Sequence, residues 1–541
     1  MKIRDSIRKK ETTVMEKLKK IHNIKTIFNK DKKIIFLVTI ISSMIVHFQL
    51  YALMITGPDT LINSMYHQAD IWEAMLLRFG LDFMQAIKGN IVSPILATLL
   101  SSIFLGITVV LVIDIFKIQN KYLKYITSIL FVVSPNISAT LTFFYCSDAY
   151  ILGMLLATLS VYIIRRFENR KWPIFISGVL LAFAMGMYQT YLSVTMVLSV
   201  AKLLIDLLNN KENKQVFLNL LKYIIMGIVG ISLFYLLSHI TLLLKNLPIS
   251  NYSGANEIGL STLLNLPKLM PESYQSFFNY YFTDKMIPNK IWHTNILYII
   301  IFVIELISII YIIIKNKVYK KLTNTILVVF AIVIIPMCFG IIEIIVPDVD
   351  IHIHILMACS MIYIFPIFFK ILEMLPKSKI FRVLKYVVVV CSLLIAWNYL
   401  WQDNASYIAI DSMQNQAVNT ASRLVTHIEE LDEYNPQMPV LILGGLENNK
   451  YLSRENTSIE AKKIFDRSWG FISDKSTIWW GNLDSWRKIF YEYVGVNLNL
   501  VSEGESKEIL ESDEFKNMKY YPEKGGIKVI NGTVVVKLSD W

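Results

Sequence analysis

The sequence predicts a mainly α, polytopic helical membrane protein of about eleven spans, followed by a small extracytoplasmic α/β domain. Three observations predict it. Between Ile34 and Trp401 the chain repeatedly forms almost uncharged runs, each close to the roughly 20 residues a helix needs to cross a bilayer core about 30 Å thick. Nearly every second gap between those runs is rich in Lys and Arg, the alternation expected of cytoplasmic loops. After Trp401 the character changes: residues 402–541 hold 15 Lys and Arg against 21 Asp and Glu, a balance of −6.

A composition that is 54% hydrophobic over 541 residues excludes an ordinary soluble enzyme. The formal charge of +11 invites a nucleic-acid reading, but its distribution argues against one. Residues 1–401 carry +17, and Met1–Lys33 alone holds 12 basic and 4 acidic residues. This is a basic cytoplasmic rim, and no nucleic-acid partner is expected.

The apolar runs fall near 34–56, 91–114, 124–145, 149–164, 173–188, 190–208, 220–244, 292–314, 322–346, 351–372 and 383–401. With the Lys-rich N-terminus inside, the clusters Lys117/Lys121/Lys124, Arg165/Arg166/Arg170/Lys171, Lys211/Lys214, Lys315/Lys317/Lys320/Lys321 and Lys377/Lys379/Arg382/Lys385 all fall inside as well. The outward gaps are then 57–90, the turns at 145–149 and 188–190, the long 245–291, the turn 347–350, and the acidic tail. Lys, Ile and Asn are abundant relative to Arg and Ala, which suggests an AT-rich bacterial genome, so the expected location is a bacterial cytoplasmic membrane, crossed many times, with the N-terminus cytoplasmic and the C-terminus extracytoplasmic. The basic stretch before Ile34 is longer than a signal-peptide n-region and no small-residue cleavage site follows the first run, so Ile34–Thr56 is expected to remain as the first span. Cys146, Cys338, Cys359 and Cys391 all lie in or beside predicted spans, so disulfides do not hold the tail.

Four regions follow. Residues 1–33 form a basic amphipathic arm suited to anionic lipid headgroups. Residues 34–401 form the membrane core, with outside loops at 57–90 and 245–291. In the first loop, Trp72, Met75, Leu76, Phe79, Phe83 and Ala86 are spaced for one apolar face of a helix over Ile71–Ile87. In the second, Pro248, Pro267, Pro271 and Pro288 predict short helices and turns, with tyrosines at interfacial depth. The tail, 402–541, begins helical through about Leu431. It continues with a strand at Pro439–Leu443 and a hairpin of Ile527–Ile530 and Thr533–Leu538 around a type I′ turn at Asn531-Gly532.

Function is to be sought where polar residues interrupt the apolar runs. Asp59 stands at the outer mouth of the first span, where a carboxylate can take a proton from a hydroxyl, bind a metal, or simply cap the next helix. Arg78, in the loop helix, can clamp a phosphate or reach lipid headgroups. Asp148 lies in a turn so short that its carboxylate must sit at the membrane surface. Tyr188 and Gln189, in Met187-Tyr-Gln-Thr-Tyr191, can hydrogen-bond a sugar or anchor the turn at the interface. His239 and Lys245 end the seventh run and are candidates for a lipid-linked phosphate, with Lys245 also able to snorkel. His352 and His354 follow Pro347-Asp-Val-Asp350; their i, i+2 spacing is poor for one metal, and a phosphate or sugar contact by His352 is the better reading. The sequence has no Walker loop, zinc spacing, nucleophile elbow or dinucleotide glycine motif.

An acid at the end of the first span, Arg78-Phe-Gly80 on an outside loop helix, and Tyr188-Gln-Thr-Tyr191 in a short turn together resemble the bacterial type II O-antigen glucosyltransferase family, over about residues 35–400. The resemblance implies a GT-C-like architecture and transfer of a hexose, typically glucose, from an undecaprenyl-phosphate carrier to a cell-surface glycan. It implies Asp59 and Asp148 as the catalytic acids, and Arg78, Tyr188, Gln189, His239, Lys245 and His352 around the donor. No cofactor or metal is implied, since monophosphate-linked donors in this fold commonly do without a divalent cation. A lipid-linked saccharide flippase, another polytopic transporter, or a wall-assembly protein working through its tail are the competing readings. The tail's Trp469, Trp479, Trp480, Trp486, Tyr491 and Tyr493 suit either sugar binding or core packing.

Overall fold

The structure, a computed structural model, describes residues 30–55, 63, 65–69, 71–250, 260–287, 293–345, 358–446, 448–452, 463 and 483–540. The chain opens with α1 (Lys30–Val46) and α2 (Phe48–Ala52), then α3 (Ile71–Met75) and α4 (Phe79–Ile87). The bundle follows as α5 (Pro94–Phe116), α6 (Lys121–Val132), α7 (Pro135–Leu141), α8 (Ser147–Arg166), α9 (Trp172–Met187), α10 (Tyr191–Leu208) and α11 (Asn213–Lys245). After it come α12 (Leu260–Phe282), α13 (Thr294–Lys315), α14 (Leu322–Phe339), α15 (Ile341–Ile345), α16 (Ile364–Met374) and α17 (Lys379–Glu429).

Among the described residues seven helices, α5, α8, α10, α11, α13, α14 and α17, are long and apolar enough to cross a membrane, and α9 is a shorter apolar helix. The protein is therefore a multi-pass helical membrane protein, with fewer uninterrupted spans than the eleven expected. The difference has local causes. The run 34–56 is divided at His47 into α1 and α2, and 124–145 is divided at Val133-Ser134 ahead of Pro135. Proline pushes its predecessor out of the helical region, and Ser134 is extended, with ψ 131°. Of 351–372, residues 351–357 lie outside the described residues and the rest yields the eleven-residue α16.

Two loop expectations are also corrected. The pattern over Ile71–Ile87 is two helices, because Leu77 takes a left-handed φ of 61° between α3 and α4. The segment expected to break at its prolines instead contains α12, 23 residues long with Pro267 and Pro271 inside it. Proline removes one amide donor and crowds the preceding turn. Here the face bearing Phe277, Tyr280 and Tyr281, all buried, packs against α13, α14 and α15 and keeps the helix whole.

The turns holding the basic clusters lie together at one end of the bundle. Lys32 pairs with Asp114 at 2.9 Å, and Glu373 accepts from the amides of Gln119 and Asn120 at 2.8 and 2.7 Å. Asn210 donates to the Asn316 carbonyl at 2.6 Å and Asn213 to the Thr323 hydroxyl at 3.1 Å. At the opposite end the His47 ring bonds the Tyr407 hydroxyl (2.7 Å) and the Val132 carbonyl (3.1 Å), Tyr280 donates to Asn136 (3.2 Å), and Tyr281 to the Met361 carbonyl (2.6 Å).

Helix α17 runs unbroken for 51 residues, about 76 Å at 1.5 Å per residue, so the last span and the first helix of the tail are one element. Its far turns pack on a small sheet. Strand β1 (Pro439–Leu443) lies parallel to β2 (Asn499–Leu500) on one side; on the other it is parallel to β4 (Thr533–Lys537), which pairs antiparallel with β3 (Ile527–Ile530). Ile530 faces Thr533 across Asn531 and Gly532, both at positive φ (50° and 74°), as a type I′ turn requires. The buried Trp486 stacks on Phe490 with centroids 5.5 Å apart, within the core shared with Ala421 and Leu424 of α17.

Glu168, in the turn after α8, ties α8, the turn between α10 and α11, and α11 together at the basic end. Its carboxylate accepts from Arg165 (2.6 Å), Asn219 (2.5 Å), Gln215 (3.1 Å) and Lys211, while its carbonyl accepts from Lys222. Burial works to raise its pKa, but the hydrogen bonds from Asn219 and Lys211 and the Arg165 charge outweigh it and hold the group at about 2, below the ordinary 4.5. A depressed carboxylate contributes stability fully above its unfolded pKa and loses it as pH falls through the folded value. Glu168→Gln should therefore cost about 2 kcal/mol at neutral pH. Thermal unfolding of both proteins in detergent should show that gap narrowing once the pH falls below about 4.5; a gap independent of pH would refute the assignment.

Candidate active site

The break between α3 and α4 positions the first functional side chain. Leu77 donates its amide to Ala74 (2.9 Å) and Arg78 donates to Glu73 (2.8 Å), closing the end of α3. The turn is held from outside by Gln189, whose amide nitrogen donates to the Leu76 carbonyl at 2.6 Å. Just after it, α4 sits directly on α9: the Phe79 ring covers Gly186, and a Cβ at Gly80 would stand 2.6 Å from the Met187 sulfur. Glycine at both positions is what allows so close an approach.

Fixed this way, Arg78 reaches the first turn of α8 and the end of α9. Its Nη1 donates to the Tyr150 hydroxyl at 3.2 Å and its guanidinium lies 4.7 Å from the centre of the Tyr188 ring. Tyr150 and Tyr188 stack with centroids 5.1 Å apart. Arg78 is half-buried and has no carboxylate partner among the described residues. Its Nε is buried and has no hydrogen-bond acceptor among the described residues.

A second cation enters from the other end of α4. Lys88, its C-terminal cap, donates to Asp148 Oδ1 at 2.8 Å and reaches the Tyr145 carbonyl at 3.4 Å. Both partners are enclosed, with side-chain exposures of 5% for Lys88 and 0% for Asp148. Asp148 lies in the first turn of α8, where the helix dipole favours an anion, and its Oδ1 also accepts from the Ala149 amide at 3.0 Å. Asp148 Oδ2 and Ser147 Oγ are buried and have no hydrogen-bond partner among the described residues. Behind them, His67 meets the Tyr145 ring edge-on at 4.8 Å and bonds Glu73 at 3.0 Å. Burial pushes the Cys146 thiol well up, so it stays protonated and is a poor nucleophile.

The structure thus brings together four of the residues singled out from the sequence, Arg78, Asp148, Tyr188 and Gln189, with Gln189 engaged in bracing the Arg78 turn. Lys245 ends α11 beside α4, paired with Asp82 at 3.0 Å. His239 is exposed on α11. Asp59 and His352 lie outside the described residues. Sequence reasoning missed Lys88 and the His67–Glu73 pair. The available signal was a lysine in the last turn of an amphipathic pattern, just before Gly89-Asn90, which local sequence alone does not distinguish from a helix stop. Among the described residues no three His, Cys, Asp or Glu side chains converge as a metal site.

A protein-family model described as glucosyl transferase GtrII matches residues 59–369, more than half of the chain. The chain belongs to the GtrII glucosyl transferase family. The match begins at Asp59 and takes in Arg78, Lys88, Asp148 and the Tyr188–Tyr191 turn, while the sheet of the tail lies beyond it. No curated protein and no solved structure matches the chain. Family membership makes this membrane protein a glycosyltransferase and implies a sugar donor and an acceptor.

The buried pair makes a prediction that separates its two halves. Lys88→Met leaves the Asp148 carboxylate enclosed without its cation and should cost about 3–5 kcal/mol. Adding Asp148→Asn to that variant should recover much of the loss in thermal unfolding, and a strictly additive double mutant would show that the two do not act as a pair.

Proposed function

We propose that the protein transfers a glucosyl residue from undecaprenyl-phosphate-glucose to a cell-surface glycan, at the membrane face opposite its basic turns. The observation that carries this reading is Arg78: a half-buried guanidinium, resting on a stacked tyrosine pair, with no carboxylate to neutralise it among the described residues. A buried cation without a counter-ion is costly, and an anionic ligand removes that cost. The phosphate of a lipid-linked donor has the needed charge and arrives laterally from the bilayer.

In the proposed topology the four short or divided helical segments, α1 with α2, α6 with α7, α9, and α16, join the seven long helices as eleven crossings. The N-terminus is cytoplasmic, residues 34–401 form the catalytic core, and the tail from 402 is extracytoplasmic. The clustering of Lys117, Arg166, Lys211 and Lys321 in turns at one end supports that orientation.

The chemistry is a direct displacement at the anomeric carbon. The acceptor hydroxyl oxygen forms the new bond to carbon, its proton passes to Asp59, and the carbon–oxygen bond to phosphate breaks with its electron pair retained by the phosphate. Configuration inverts, and the polyprenyl phosphate leaves. Arg78 stabilises the charge gathering on the departing phosphate. Tyr150 and Tyr188 offer the sugar ring an aromatic wall. Asp148 acts through Lys88, setting its position beside the same site, and Gln189 acts through the Arg78 turn.

Membranes carrying the wild-type chain should transfer radiolabelled glucose from undecaprenyl-phosphate-glucose to envelope glycan. Asp59→Asn should abolish that transfer, and Arg78→Lys, which keeps the charge but loses the forked donor, should lower it by about 10²–10³. Full activity of Asp59→Asn at normal expression would remove the base. Translocation of a lipid-linked saccharide without sugar transfer would favour a flippase.

A further inference from the structure

Two cavities lie side by side along α17, away from the Arg78 cluster. A cavity of about 600 Å³ opens between α6, α16 and α17, and a second of about 300 Å³ continues between α1, α6 and α17; Leu393 lines both. Together they make one groove along α17. Its two ends differ in chemistry. Arg382, Lys385, Tyr122 and Tyr386 line the end nearest the basic turns, whereas Ile129, Val133 and Trp397 line the other. Arg382 and Trp397 are 15 positions apart on one helix, so the groove extends about 22 Å, more than the roughly 15 Å depth of one leaflet's hydrocarbon.

The one carboxylate among the described lining residues, Glu373, is already engaged: it accepts from the Gln119 and Asn120 amides at 2.8 and 2.7 Å and lies 3.6 Å from Lys370. Lys385 donates to the Leu375 carbonyl at 3.0 Å. Arg382 is exposed and has no ion-pair partner among the described residues, so its guanidinium is available at the mouth. Tyr122 and Tyr386, each 63% exposed, flank it at the depth where phenols prefer to sit in a bilayer.

We infer that this groove seats an anionic phospholipid, its phosphodiester headgroup on Arg382 and Lys385 and an acyl chain laid along α17 past Leu393. Charge complementarity selects the headgroup, and the apolar wall selects a chain over a soluble anion. The site is separate from the Arg78 cluster and does not depend on the reaction proposed for it.

Native mass spectrometry of the full chain, purified in neutral detergent, tests the inference with phosphatidylglycerol and phosphatidylcholine of identical acyl chains. The wild type should retain phosphatidylglycerol preferentially. Arg382→Gln should weaken that retention by about tenfold while leaving phosphatidylcholine unchanged, and Leu393→Trp, which fills the groove at a lipid-exposed position, should weaken both. Equal retention of the two lipids by the wild type, or undiminished phosphatidylglycerol preference in Arg382→Gln, would overturn it. So would displacement of phosphatidylglycerol by a polyprenyl phosphate, which would assign the groove to the donor's carrier.

Discussion

A charge enclosed in an apolar bundle must have its partner within reach, and the Lys88–Asp148 pair is where this protein meets that requirement at its site. Asp148 stands at the start of α8, held by a helix terminus and one amide, and Lys88 comes to it from the end of α4, 60 positions earlier in the chain. The pair therefore fastens the loop helices onto the membrane bundle. Once α4 is fastened at Lys88 and seated on α9 at Gly80 and Gly186, the turn before it has little choice of position, and Arg78 follows from that placement. Among the described residues Arg78 is thus the cation of the cluster that has no carboxylate partner.

The same reasoning explains why the two ends of the bundle differ. At the basic end, cations meet carboxylates and carbonyls in turns: Lys32 with Asp114, and Arg165 and Lys211 with Glu168. These contacts close the turns and set the helices side by side. At the other end many of the described polar groups are phenols, amides and imidazoles, buried and hydrogen-bonded to one another, as with His47, Tyr407, Asn136 and Tyr280. Neutral groups of this kind cost less to enclose than ions, so a polar interior can exist there without a web of salt bridges. Arg78 and the Lys88–Asp148, His67–Glu73 and Lys245–Asp82 pairs are exceptions to that neutral surround, and where they are enclosed their charge acts with less screening than in water.

Much of this was legible in the sequence, for identifiable reasons. The apolar runs and their basic gaps are composition signals repeated along the chain, and a local error in one does not erase the others. The Asn531-Gly532 hairpin was legible because two adjacent positive φ values admit few residue types. What the sequence hid were outcomes of packing. Leu77 has no preference for a left-handed conformation, and takes one because closing α3 and seating Phe79 on Gly186 leave no other path. Pro267 and Pro271 forecast a broken loop, yet the aromatic face at Phe277, Tyr280 and Tyr281 holds α12 together. Lys88 was hidden for a related reason: a pair separated by 60 residues leaves no trace in either local pattern.

The continuity of α17 has a further consequence for how the tail relates to the core. Between Lys379 and Glu429 the sequence contains neither glycine nor proline, the two residues that most readily end or kink a helix. The boundary between span and tail, marked in the sequence by the fall in hydrophobicity after Trp401, is therefore not a hinge in the backbone. Buried residues on both sides of it, Ile395 and Tyr399 on one and Tyr407 and Ile410 on the other, belong to the same core. Tyr407 reaches His47 at the end of α1, beyond the last apolar run. Any displacement of the sheet that α17 carries must bend this helix or break that contact, so the tail is held in register with the polar end of the bundle and takes its orientation from it.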